Sequence, residues 1–196
     1  LRTMLKIPAL QRQSQLDPKT GLYNAAFFDL SLEREFKQAN KLNRPLCVVM
    51  ADLDRLRHIN NTYGHLAGDA VLKKVAQILA TSTHHPDIVA RFGGEEFALL
   101  MPNRTPQQAY VEIEAIRQAI EAAEFTVETS PQPIRATMSF GIAARNGESE
   151  HPYKLVHWAD LAVYDAKRNG RNLTSLYQDE FCPNQAAVQP APDTRQ

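Results

Sequence analysis

The sequence predicts an α+β domain of ferredoxin-like type, with a central, mostly antiparallel five-stranded sheet surrounded by helices. Three observations lead there. Apolar residues recur at three- to four-residue spacing in four separated stretches, the mark of amphipathic helices. Between those stretches lie short apolar runs rich in β-branched residues, too short for helices and suited to buried strands. The resulting order is helix, strand, helix, hairpin, helix, strand, helix, strand. Its central unit, strand-helix-hairpin-helix-strand, is close to the ferredoxin-like arrangement.

Taken in order, residues 1–15 read as a linker from an upstream domain, with Pro8 interrupting any early helix. Asp17-Pro18-Lys19-Thr20-Gly21 is turn chemistry, and Asn24 is placed to cap the next helix. Phe28, Leu32, Phe36 and Ala39 give that helix an apolar face over 24–42, and Asn43 with Pro45 ends it. Residues 45–51 form a strand with two acids at its mouth, Asp52 and Asp54. A polar stretch from Arg57 to His65 follows, then a helix over 66–82 marked by Val71, Leu72, Val75, Ile78 and Leu79. Two apolar runs around Gly93-Gly94-Glu95-Glu96 predict a hairpin over 87–102. Thr105-Pro106-Gln107-Gln108 has the form of a capping box opening a helix to about 124. Alternation from Ile134 to Ile142 predicts a strand with one buried face, and Leu155, Trp158, Ala159 and Ala162 a helix over 152–168. Asn169-Gly170 stops it, 173–177 suits a last strand, and residues 179–196 read as a disordered tail.

Composition narrows the function. The 196 residues suit one domain, and 22 basic against 22 acidic residues leave no net charge. Nothing in that balance points to nucleic acid or a membrane surface, so a phosphate ligand must be handled by a local site. Two cysteines, Cys47 and Cys182, make neither a disulfide framework nor a metal knuckle, which suits a reducing, cytoplasmic setting. No signal peptide or membrane span is visible, and a chain that starts at Leu1 reads as a piece of a longer or processed protein.

The chemistry concentrates in two acid pairs, Asp52 with Asp54 and Glu95 with Glu96. Magnesium takes hard oxygen ligands and pairs with polyphosphate oxygens, and metal-assisted phosphoryl or nucleotidyl transfer needs carboxylates from two neighbouring rigid segments. Each pair alone is also what solvated or capping acids look like. Asn60 and Asp69 flank a helix entrance; an amide with a carboxylate matches a guanine edge, and both types also serve turns and caps. His65 reads by default as a structural histidine. Lys167 and Arg171 flank a helix C-terminus, where they meet either the dipole or terminal phosphates.

The motifs in series resemble the GGDEF domain, the diguanylate cyclase family, in a GGEEF variant, over residues 16–178. They are Asp17-Pro18-Lys19-Thr20-Gly21-Leu22-Tyr23-Asn24, Asp52-Leu53-Asp54 with Ile59-Asn60, Tyr63-Gly64-His65 with Gly68-Asp69, and Arg91-Phe92-Gly93-Gly94-Glu95-Glu96-Phe97. Ser139-Phe140-Gly141, Ala159-Asp160 with Tyr164, Ala166-Lys167 and Gly170-Arg171-Asn172 complete the set. The resemblance implies a palm-like fold and condensation of two GTP into cyclic di-GMP with loss of two pyrophosphates. It implies magnesium, or manganese in its place, held by Asp52, the Leu53 carbonyl and Glu95 with support from Glu96. Glu95 would also take the proton of the attacking ribose 3′-hydroxyl, and Arg57 would neutralise phosphate charge. Asn60 and Asp69 would recognise guanine with His65 near the substrate, Gly93 and Gly94 would leave room for GTP, and Lys167 and Arg171 would steady the triphosphate. One base site per domain and two guanylates per product imply a homodimer. The setting implied is the output module of a bacterial signalling protein with an upstream sensory domain.

Departures from the family pattern are few. Lys19 stands where leucine is frequent and reads as tolerated variation, and Arg57 stands where lysine is usual. The Arg-x-x-Asp motif that binds product in many members reads His84-His85-Pro86-Asp87 here, which implies weak or absent product inhibition. A silent module that only binds GTP or a protein, and a cyclase making a mixed purine product, stand as alternatives.

Overall fold

The computed structural model describes residues 15–127, 130–145 and 151–178. The expected linker up to residue 14 and the expected tail lie outside them. The elements are β1 (Tyr23–Asn24), α1 (Ala25–Leu42), β2 (Leu46–Leu53), α2 (Leu56–Tyr63), α3 (His65–Ser82), β3 (Ile88–Arg91) and β4 (Glu96–Pro102). They continue with α4 (Pro106–Ala122), β5 (Met138–Ala144), α5 (Pro152–Arg168) and β6 (Thr174–Leu176). One sheet takes the order β1-β3-β4-β2-β5-β6. Its inner four strands are antiparallel in the ferredoxin-like order, and β1 and β6 add in parallel at the edges.

Among the described residues six strands stand where five were expected. The extra one, β1, has two residues, too few to leave a period in the sequence. The polar stretch after Asp54 holds a helix the sequence reading passed over. It is eight residues long, and only Leu56 and Ile59 on it are buried.

β2 is buried along its whole length, because both faces of the sheet are covered. Cys47, Val49, Ala51 and Leu53 point to one side and join α3 and α4 in the larger core. Leu46, Val48 and Met50 point to the other and pack against α1 and α5. The period of two carries Asp52 onto the α5 side. Cys47 is buried and unbridged, and burial pushes its thiol up to about 12.

The caps follow the sequence. The Asn24 side chain accepts from the Phe27 N–H at 3.0 Å, and Thr105 with Gln108 closes a full capping box behind Pro106. Gly141 lets α5 settle on β5, since a Cβ there would lie 2.2 Å from the Ala159 carbonyl oxygen and 2.3 Å from the Val163 nitrogen. Both are backbone atoms that cannot swing aside. That close seat brings the C-terminal end of α5, with Lys167, over the end of β2.

Candidate active site

The site lies where β2 ends and β3 turns into β4. Asp52 pairs in register with Glu96, and the Leu53 N–H bonds the Glu95 carbonyl at 3.0 Å. The main chain of β2 therefore lies directly against the Gly93–Glu96 turn, and three acids share one small rim. Asp52 is 8% exposed, Glu95 half-buried and Glu96 exposed. Burial, and then the Asp52 charge, push the Glu95 carboxyl above its ordinary range. Burial also raises Asp52, against the pull of Lys167, whose Nζ stands 2.7 Å from Asp52 Oδ2.

Two clefts open on either side of this rim. One, of about 400 Å³, is lined by Asn60, His65 and Asp69 together with Asp52, Gly94, Glu95 and Glu96. The other, of about 240 Å³, is lined by Asp52, Glu96, Asp160, Tyr164 and Lys167. Asp52 and Glu96 belong to both. The base-reading candidates and the cationic end of α5 thus meet at the same acids.

Two glycines are fixed by what lies over them. A Cβ on Gly68 would fall 1.8 Å from Asn60 Oδ1, so α3 must carry glycine there for the Asn60 amide to sit on it. A Cβ on Gly93 would fall 2.4 Å from Glu96 Oε2, which lies folded across the turn. Among the described residues nothing fills the space beside Gly94; it borders the larger cleft.

Not every expected residue converges. Arg57 is exposed on α2 and lines neither cleft. Arg171 is exposed beyond α5 with φ +66°, near enough for its charge to hold Asp52 down. Asp54 lines neither cleft, although its charge still helps raise Asp52. Asp54 Oδ1 accepts from the Ser139 hydroxyl at 2.8 Å, and its Oδ2 from the Thr137 hydroxyl at 2.8 Å and the Asn172 N–H at 3.0 Å. It is a structural hub that ties β2 to β5 and to the turn before β6.

Two residues gain a place that motif reading did not give them. Arg91 reaches Asp17 at 3.2 Å and the Gly94 carbonyl at 2.7 Å, clasping the first turn of the domain to the acid turn. Lys19 Nζ lies 2.5 Å from Asp69 Oδ1 and lines the larger cleft. A lysine in a turn carries no signal of its partner, because the two stand fifty residues apart.

The donors fit a hard divalent cation. The acids offer oxygen only, they crowd enough that the Asp52 and Glu96 charges help raise Glu95, and a lysine ammonium already neutralises one of them. Among the described residues no group of three His, Cys, Asp or Glu is drawn together tightly enough to hold a metal by itself. Substrate phosphate oxygens would complete such a set, as is usual for magnesium.

A family model described as "Diguanylate cyclase, GGDEF domain" matches residues 14–173. The chain belongs to this family. Diguanylate cyclase A of Treponema denticola is 36% identical over 157 residues, which cover 79% of this chain and 42% of that protein. The response regulator PleD of Caulobacter vibrioides is 36% identical over 80% of this chain and 34% of its own length. The chain therefore spans well under half of either relative. Among solved structures, the coiled coil and GGDEF domain of DgcB from Caulobacter crescentus, in complex with c-di-GMP, superposes with a TM-score of 0.81. It is 28% identical, covering 85% of this chain and 87% of that one. The fold is thus the palm-like α+β fold of the GGDEF family.

Proposed function

We propose that this domain is a working diguanylate cyclase, joining two GTP molecules into cyclic di-GMP and releasing two pyrophosphates. The observation that carries the reading is the rim shared by the two clefts. Asp52 and Glu96 stand between a pocket bearing Asn60, His65 and Asp69 and a pocket bearing Lys167.

In this reading Asp52, the Leu53 carbonyl and Glu95 hold magnesium, or manganese, and Glu96 supports them. The bound cation supplies Lewis-acid polarisation of the phosphate oxygens and offsets charge that the acids would otherwise repel. The chain's own groups do the rest. Asn60 and Asp69 read the base, with His65 beside them. Lys167 exchanges Asp52 for the triphosphate, and Arg171 adds to it from the turn behind α5. Gly94 keeps the phosphate approach open. The 3′-oxygen of one ribose bonds to the α-phosphorus of the other nucleotide, and the bond to the β-phosphate oxygen breaks. The hydroxyl proton goes to Glu95, the carboxylate on the turn that borders the base cleft. Arg57, exposed on α2, swings in to neutralise charge in the transition state.

One base cleft serves one guanylate, and the product contains two, so two copies face each other in catalysis. A sensory segment elsewhere in the protein would set that facing. No helix among the described residues is long and apolar enough to cross a membrane, and the proposed setting is cytoplasmic. The test is to incubate the purified protein with GTP, ATP and magnesium and to identify products by mass spectrometry. Cyclic di-GMP that disappears with a chelator and falls more than linearly on dilution supports the reading. A mixed purine product, or no cyclic dinucleotide at all, refutes it.

A further inference from the structure

Lys19 and Arg91 both line the base cleft, and Arg91 is already engaged by Asp17 and the Gly94 carbonyl, whereas Lys19 meets only Asp69 among the described residues. Lys19 sits on the Asp17–Gly21 turn, and that turn needs no help from it. The Thr20 N–H and hydroxyl bond Asp17 Oδ1 at 2.8 and 2.6 Å, the Gly21 N–H bonds the Asp17 carbonyl at 2.9 Å, and Arg91 clamps Asp17 from β3. The Lys19–Asp69 pair is 38% exposed on both sides. A surface pair of that kind adds little to stability. What it fixes is chemistry: a donor and an acceptor side by side at the mouth of a cleft, on elements that do not otherwise need each other.

Asp69 uses only Oδ1 for Lys19, and Oδ2 takes no donor among the described residues. The pair therefore offers a free carboxylate oxygen next to an ammonium with two protons to spare. On a guanine edge the N–H at position 1 and the amine at position 2 lie beside the carbonyl oxygen at position 6. Adenine reverses the first and last of these, with a lone pair at position 1 and an amine at position 6.

We propose that Lys19 is a specificity-determining residue of the base pocket, donating to the 6-oxygen of guanine while Asp69 accepts from the N–H groups beside it. This rests on the reading of the cleft as a guanine site. The ammonium meets an acceptor in guanine and an amine in adenine, so the same pair that holds one base repels the other. The leucine frequent at this position in the family has no such donor, which makes Lys19 an added reading group of this chain.

The experiment uses the full chain and calorimetric binding of two probes. One is GTP with a methylene between its α- and β-phosphates, which cannot release pyrophosphate. The other is its 6-thio counterpart, where sulfur, a poor acceptor, replaces only the 6-oxygen. Wild-type protein should bind the oxygen probe about tenfold more tightly than the sulfur probe. Lys19→Met should lose about tenfold for the oxygen probe and leave the sulfur probe unchanged, so that the preference vanishes. Lys19→Arg should restore it. Undiminished or tighter binding of the oxygen probe by Lys19→Met overturns the proposal, and so does an equal loss for both probes. Wild-type protein that binds neither probe overturns the guanine-site reading itself and the role of Lys19 with it.

Discussion

Asp52 and Asp54 stand two residues apart at the same end of β2, and their surroundings are opposite. Asp54 accepts three hydrogen bonds, from Ser139, Thr137 and the Asn172 N–H, and lines neither cleft. Asp52 has one lysine and two further carboxylates for neighbours, and its pKa is raised. A buried carboxylate with its lone pairs filled holds a fold together. One with a single lysine partner and other acids beside it has oxygen lone pairs left for a cation, the role proposed for Asp52. Both read as acids at a strand mouth, and only the surroundings tell the anchor from the proposed ligand.

Removing the short-changed acids should cost chemistry. Glu95→Ala is expected to lower cyclic di-GMP formation on the order of a thousandfold, measured by product chromatography, with the fold intact by circular dichroism. Removing the satisfied acid should cost stability. Asp54→Ala leaves three donors without an acceptor, and a loss of about 3 kcal/mol, or about 10 °C in Tm, is expected from thermal melts.

The glycines sharpen the same contrast. Gly141→Ala drives a methyl into the backbone of α5 and should unseat that helix. Gly68→Ala meets only the end of the Asn60 side chain, which can turn away. Helix propensity favours alanine there, so Tm should hold while GTP affinity falls about tenfold, read by calorimetry.

The pH dependence of stability should divide the acids as well. Asp52 and Glu95 have raised values in the folded protein. Their contribution is present below the unfolded carboxylate value and is lost as pH rises through the folded one. Asp17 is lowered by its bonds to Thr20 and Arg91, which outweigh burial. Its contribution is present above the unfolded value and is lost as pH falls through the folded one. Glu95→Gln should flatten the loss on the alkaline side and raise Tm near neutral pH by about 2 °C, less in high salt.

The smallest effect is expected at the degenerate inhibitory motif. The Asp87 side chain is 1% exposed and turned toward Arg104 at 3.7 Å, and burial raises its pKa. With that carboxylate inside and a histidine at 84, His84→Ala should leave cyclic di-GMP inhibition unchanged. Tight product binding abolished by that substitution would sink the idea.

Much of this was legible in the chain. The periods of Phe28 to Ala39 and Val71 to Leu79 give α1 and α3, and the Thr105 capping box gives the start of α4. The acid turn and the end of β2 carry the metal-ligand candidates in plain view. What stayed hidden depends on contact across long separations. The period of two gives no hint that Asp54 meets Ser139 or that Lys19 meets Asp69, 85 and 50 residues away. α2 escapes the sequence because only Leu56 and Ile59 of its eight residues are buried, too few for a helical pattern. Motif reading could quote Arg91, but only the folded chain shows it holding Asp17 and Gly94 at once.

One substitution tests the contrast between the two strand-end acids most directly. Asp52→Asn keeps the shape of the side chain and removes its charge. The expected result is loss of cyclic di-GMP formation by mass spectrometry, together with a Tm equal to that of the wild type or higher, measured on the same preparation without metal. Normal turnover, or a fall in Tm as large as that of Asp54→Ala, would contradict the assignment of Asp52 as a cation ligand rather than an anchor.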